Sequence, residues 1–206
     1  MNKKTNSPWF RAMPLFLAVL LTATGCGTTH QPVTYYSLLG TTDIQPIAGE
    51  RHEQLALSIG PVVIPDLLKQ SRIAIGGEGG RYQLSESHRW SGEIDREFAQ
   101  AVAEQLAGRL GTEKVGVFPG DQYLEPTRRV QVDVIVMGGE LGKEAILAVR
   151  WALVDPQCNI APMVKRSDFR EATSGAGYAA WVAAQQRNIA RLGEEIAGVV
   201  KETVNP

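Results

Sequence analysis

The sequence predicts an α/β fold: a single-domain sandwich of a mixed, largely antiparallel sheet with two long helices. Three observations predict it. Two segments, 93–110 and 177–202, carry apolar residues at helical spacing. Strand-forming runs precede the first helix and fill the interval before the second, giving the order strands, helix, strands, helix. The roughly 170 residues from Val33 onward are enough for one well-buried core.

Residues 33–39 (VTYYSLL) are rich in strand formers and read as a strand. Residues 41–54 are polar, contain Pro46 and Gly49, and read as a loop. Residues 55–64 alternate Leu55, Leu57 and Ile59 and read as a strand. Gly60-Pro61 inside it points to a bulge or an edge position, because proline cannot donate to a ladder. Residues 65–70 read as a turn or a single helical turn. Two short strands at 72–75 and 81–85 are joined through GGEGG as a hairpin.

In the first helix Ile94, Phe98, Val102, Leu106 and Leu110 recur every four residues, with Ala101 widening the apolar face. Ser91 is the expected N-cap and Gly111 the expected stop. Glu93, Asp95 and Glu97 suit the positive end of the helix and are expected to face solvent. Residues 115–119 read as a strand. Residues 129–137 alternate Val130, Val132, Val134 and Val136 and read as a central strand, with 143–154 as its hairpin partner. Residues 163–172 read as a further strand. The second helix turns Tyr178, Val182, Gln185, Ile189, Leu192, Ile196 and Val199 inward, with Trp181 beside that stripe.

The N-terminus follows a different logic. Lys3, Lys4 and Arg11 precede a mostly apolar stretch at 12–23, then Ala23-Thr24-Gly25-Cys26. A positive start, a short apolar run and small residues are the export pattern, and a cysteine directly after the cleavage point makes it a lipoprotein signal. Residues 1–25 are expected to be removed and residues 26–32 to form a lipidated linker. Residues 33–206 then make the domain. The apolar run is shorter than the ~20 residues that span a bilayer, and Pro14 interrupts it. Acylation at Cys26 takes that sulfur out of any disulfide and leaves Cys158 as a lone thiol.

Loss of three basic residues with the signal leaves 18 of the 21 Lys and Arg against 22 Asp and Glu. That acidic balance argues against nucleic acid as a partner. The three histidines (His30, His52 and His88) stand outside any nucleophile motif, and no His/Cys/Asp set has ligand spacing. No cofactor and no catalytic residue are expected. Trp90, Trp151 and Trp181 are core residues by default. Trp90 beside Arg89, just ahead of a helix, is also the best candidate for an interface anchor.

Several pieces together resemble the ABC-type transport auxiliary lipoproteins, the PqiC/YmbA-like group. They are Tyr35-Tyr36-Ser37-Leu38 soon after Cys26, and Ile59-Gly60-Pro61-Val62-Val63-Ile64-Pro65 followed by Leu67-Leu68. Arg89-Trp90, residues 106–110 with 117–119, Val132-Asp133-Val134, Arg150-Trp151 and the closing helix complete the set. The resemblance implies an α/β sandwich and a non-catalytic lipoprotein of an ABC-type intermembrane lipid transport system. Its partner would be an MCE-domain protein with its inner-membrane complex. Its place would be the periplasmic face of the outer membrane, held by acyl chains on Cys26, and Gly27 fits that sorting. Arg89, Trp90, Pro61 and Pro65 are the expected partner-binding residues, and a homo-oligomer is an open expectation. The alternative is a lipid-binding acceptor or shuttle with an apolar cavity of its own.

Overall fold

The computed structural model describes residues 32–40, 55–157 and 161–204. From Val33 onward the chain forms one compact unit. Its elements are β1 (Thr34–Tyr36), β2 (Leu57–Val63), β3 (Arg72–Gly76), β4 (Tyr82–Trp90), α1 (Ile94–Leu110), β5 (Val115–Val117), β6 (Arg128–Glu140), β7 (Glu144–Val154), β8 (Met163–Ala172) and α2 (Tyr178–Val204).

Strand β6 is the hub of the eight-stranded sheet. One side pairs with β7 and through it with β8, while the other pairs with β2 and, near the far end, with β3. The sheet is mixed: β1/β4, β2/β5 and β2/β6 are parallel, and β3/β4, β3/β6, β6/β7 and β7/β8 antiparallel. The expected irregularity at Gly60-Pro61 is present as a register shift between Ile59 and Val62. Among the described residues, strands β1, β5 and β8 are the outer strands of the sheet.

The alternation in β6 sorts its side chains. Val130, Val132 and Val134 are buried, while Gln131, Asp133 and Ile135 face out. Val132 pairs with Trp151 across the ladder, and Trp151 is 1 % exposed with its indole N–H donating to Ser167 Oγ at 3.0 Å. Paired residues share a face, so Trp151 lies in the core that the helices cover. The inward stripe of α2 is as expected, with Val182, Ile189, Leu192, Ile196 and Val199 all buried.

That stripe also carries amides. Gln185 Nε2 donates to Gly138 O (3.0 Å) and Ile146 O (3.1 Å), Trp181 Nε1 to Gly138 O (3.2 Å), and Asn188 Nδ2 to Ala145 O (3.1 Å). Gln185 and Asn188 are fully enclosed. Such groups are costly in a core unless hydrogen-bonded, and these donors are, although Asn188 Oδ1 is enclosed without a partner. Position 138 must be glycine, because a Cβ there would stand 2.0 Å from Gly76 O. The bare backbone lets β3 meet β6 at the Gly76–Gly139 pair.

Three local expectations are corrected. The N-cap of α1 is Glu93, not Ser91, and no side chain caps it. Ser91 Oγ instead donates to Glu97 Oε1 at 2.6 Å. Glu97 does not face solvent; it is 7 % exposed and also accepts from Leu38 N (2.9 Å) and Ser37 Oγ (3.1 Å). One carboxylate thus ties the chain after β1 to the start of α1. Finally, β4 runs on to Trp90, so Arg89-Trp90 lie within a strand rather than in a connection ahead of the helix.

Replacing Gln185 with Leu leaves Ile146 O without its side-chain donor, while Trp181 still serves Gly138 O. The expected loss is about 1–3 kcal/mol, the cost of deleting a buried amide that donates to two carbonyls and accepts from Asn188, read as a lower urea midpoint at unchanged slope. Glu97→Ala is expected to reduce hydrogen-exchange protection of the Leu38 amide more than that of β6 amides, since only the former loses its acceptor.

Candidate docking surface

Strands β2 and β5 run parallel, so their carboxyl ends emerge together. Phe118 N donates to Ile59 O at 2.9 Å, which sets Gly60 beside Phe118. Gly60 has φ +122, a conformation side chains rarely adopt, and a Cβ there would lie 3.4 Å from that of Phe118. Each chain then meets a proline through a cis bond, Gly60–Pro61 and Phe118–Pro119.

The Phe118 ring is held from behind. The Arg129 guanidinium lies 4.7 Å from its centroid, and Arg129 Nε donates to Ser58 Oγ at 3.2 Å. Its front is open, with Phe118 40 % exposed. Pro61, Val63, Pro119 and Tyr123 are also exposed nearby in sequence, Val63 at 52 % and Tyr123 at 78 %. A groove of about 730 Å3 runs between Pro61, Phe118 and Tyr123 on one wall and Arg96, Ala99 and Ala103 of α1 on the other. Glu93, Asp95 and Glu104 give its rim a negative excess over Arg96. Solvent-exposed aromatics on a stiff support, beside a groove of mixed polar and apolar lining, have the make-up of a protein or ligand contact.

The expected partner residues divide. Pro61 lines this groove. Pro65 is exposed and opens the following turn, where its carbonyl accepts from Leu68 N at 2.8 Å. Trp90 does not reach the surface: it is 3 % exposed, and its ring packs 6.3 Å from that of Trp181. Core packing, its default role, is what the geometry gives it. Arg89 is half-buried, with Nε enclosed and without a hydrogen-bond partner. Cys26, His30, His52 and Cys158 lie outside the described residues. Phe118 and Tyr123 were missed as site residues. Their signal was an aromatic on each flank of Pro119-Gly120, where a chain turns at the surface.

His88 stacks between Tyr178 (4.0 Å) and Tyr36 (5.8 Å). Its Nδ1 is 3.0 Å from Ser85 Oγ and 3.2 Å from Ser87 Oγ, and its backbone N donates to the Ser85 hydroxyl. The Ser85 hydroxyl is buried and takes that amide in the stretch of β4 where its pairing with β3 shifts register, and the His88 ring stacks on Tyr178, the first residue of α2. In the Gly-rich hairpin Gly77 N donates to Arg81 O at 2.8 Å, which closes the turn rather than offering that amide to an anion. Among the described residues no group of three or more His, Cys, Asp or Glu could hold a metal ion, and no helix is long and apolar enough to cross a membrane.

Comparison with known proteins adds the following. The family model described as the ABC-type transport auxiliary lipoprotein component matches residues 36–197. No curated protein matches the sequence. Among solved structures, an uncharacterised protein superposes with a TM-score of 0.66 at 16 % identity, covering 82 % of this chain and 99 % of its own. Protein XCC0632 from Xanthomonas campestris, of the DUF330 family, gives a TM-score of 0.64 at 14 % identity, over 80 % of this chain and 93 % of its own. At these identities the likeness is one of fold.

Two substitutions separate the scaffold of the groove from its surface. Gly60→Ala forces a side chain into a positive-φ position and is expected to cost about 1–3 kcal/mol in thermal or urea unfolding. Phe118→Ser removes a ring already substantially exposed and is expected to change stability by about 1 kcal/mol or less.

Proposed function

Because this chain belongs to the ABC-type transport auxiliary lipoprotein family, we propose that it is the lipid-anchored docking component of an intermembrane lipid transport system built around an MCE-domain protein. Acyl chains on Cys26 hold it to the periplasmic face of the outer membrane after residues 1–25 are removed. The domain then receives the far end of the MCE partner. Its contribution is binding and placement, not catalysis.

The observation that carries this reading is the exposed wall of the groove at Pro61, Phe118, Pro119 and Tyr123. Burial of such side chains is worth about 25 cal/mol per Å2 of apolar surface, and aromatic anchors dominate interface energetics. The anchor side follows the same arithmetic. Each buried methylene contributes about 0.8 kcal/mol, so two or three acyl chains hold where one would exchange. The linker 26–32 spans at most about 25 Å when extended, which keeps the domain close to the bilayer.

A second reading has its own support. The groove volume of about 730 Å3 falls within the ~300–1,000 Å3 of small-molecule sites. An acceptor that holds one acyl chain beside α1 would use the same walls.

The test is capture from cross-linked membranes. Wild type is expected to recover MCE or ABC components, and a Phe118→Asp/Tyr123→Asp chain to recover few of them while unfolding like wild type. Cys26→Ala is expected to fractionate as soluble, folded protein. Recovery of no transport component by wild type, or equal recovery by the double variant, would sink the docking reading. Extractable lipid that disappears on filling the groove with Ala99→Trp would favour the acceptor instead.

A further inference from the structure

Close to the lipid anchor the sheet presents a row of side chains that packing leaves open. The linker 26–32 ends just ahead of Val33, and β1 follows at once. With an extended reach of about 25 Å, that linker keeps β1 and the strands beside it nearest the bilayer.

Register sets three residues side by side. Tyr35 pairs with Arg89 across β1/β4, and Arg89 with Arg72 across β4/β3. Paired residues share a face, and neighbouring strands lie about 4.8 Å apart. Trp90, the next residue of β4, is buried in the core, so the row stands on the opposite face of the sheet. Tyr35 is 64 % exposed and Val33, two positions before it, 41 %.

Two guanidiniums in direct register repel each other. Arg72 has loose, exposed partners: its Nη2 donates to Gln70 Oε1 at 3.4 Å, and its Nη1 lies 3.6 Å from the carboxylate of Glu86, which is 90 % exposed. An ion pair of that kind contributes little in water. Among the described residues no acceptor and no carboxylate meets the guanidinium of Arg89. Its Nε is enclosed, and the terminal nitrogens are the part left open. A half-buried cation without a counter-charge is costly. One anion between Arg89 and Arg72 would offset that cost and their mutual repulsion together.

Given the anchoring of Cys26, on which this rests, we propose that Tyr35, Arg89 and Arg72 seat the phosphate of an anionic phospholipid in the membrane that holds the acyl chains. The guanidinium fork matches phosphate oxygens two at a time, and the hydrogen bonds are charge-assisted. Tyr35 then lies at headgroup level, where a ring with one polar tip is favoured. A short tether raises the effective concentration of headgroups, so a weak contact is enough to fill the site. The contact orients the domain: acyl chains alone fix its height above the bilayer but not which face it turns down.

The experiment places the full acylated chain in nanodiscs of phosphatidylcholine, alone or mixed with phosphatidylglycerol, and follows modification of single arginines by phenylglyoxal. Arg72 and Arg89 are expected to react about fivefold more slowly in the anionic discs. Arg81, just ahead of the other end of β4, is expected to react equally in both. Arg72→Gln is expected to remove the protection of Arg89, and Arg81→Gln to leave it unchanged, with unfolding midpoints confirming that both variants fold. A chain that does not enter the discs overturns the anchor and this site with it. A chain that enters and shows equal arginine rates in both lipids, or keeps Arg89 protected in Arg72→Gln, overturns the site alone. Equal protection by millimolar inorganic phosphate in neutral discs overturns the lipid as its occupant.

Discussion

The row of amide donors on the inner face of α2 is the interaction on which the rest of the structure rests. A helix laid on a sheet by apolar contact alone can slide or rotate at little cost, since dispersion and hydrophobic burial are non-directional. Trp181, Gln185 and Asn188 remove that freedom by addressing the carbonyls of Gly138, Ala145 and Ile146. Those carbonyls lie where β6 and β7 approach their connection, and where β3 meets β6 through Gly76 and Gly139. One helix face thereby fixes the junction of both sheet halves. Misplacement by a single turn would bury several unpaired polar groups at about 1–3 kcal/mol each.

With that junction set, the surface features follow from the sheet's branching. β6 is shared between neighbours, so the sheet has three edges instead of two. At β5 the edge is short, and the chain beyond it carries Phe118 and Tyr123 beside the groove of α1. At β8 the edge is long and dressed with arginine and aspartate. This division lets unlike surfaces sit at separate edges without deforming the core.

Much of this was legible in the sequence, and the gaps have physical reasons. Repeats of 3.6 and 2 residues marked both helices and the valine ladder of β6, because burial on one face imposes them directly. The same periodicity placed Gln185 on the buried stripe, though not the carbonyls it serves. Glu97 was read as a solvent-facing charge because its partners, Ser37 and Leu38, stand about sixty positions earlier in the chain. Trp90 drew attention as an anchor because a tryptophan beside an arginine looks alike on a surface and in a strand. Only the extension of β4 and the packing of Trp181 decide between them. Of the residues picked from sequence for partner binding, Pro61 alone lines the groove, since exposure of an aromatic depends on what folds over it.

The carboxylate of Glu97 has a mechanical consequence. Any tension on the N-terminal segment enters the domain through β1, whose three residues run parallel to β4. A pull along such a strand loads its bonds in shear, all together, rather than peeling them one by one. The bonds from Leu38, Ser37 and Ser91 to Glu97 lie just behind β1 and add a buried brake in series. Resistance to force is governed by the barrier to unfolding rather than by equilibrium stability. The domain therefore has the build of a load-bearing fitting: a pull on the segment ahead of β1 is resisted by the β1/β4 ladder and then by the first turn of α1, through Glu97.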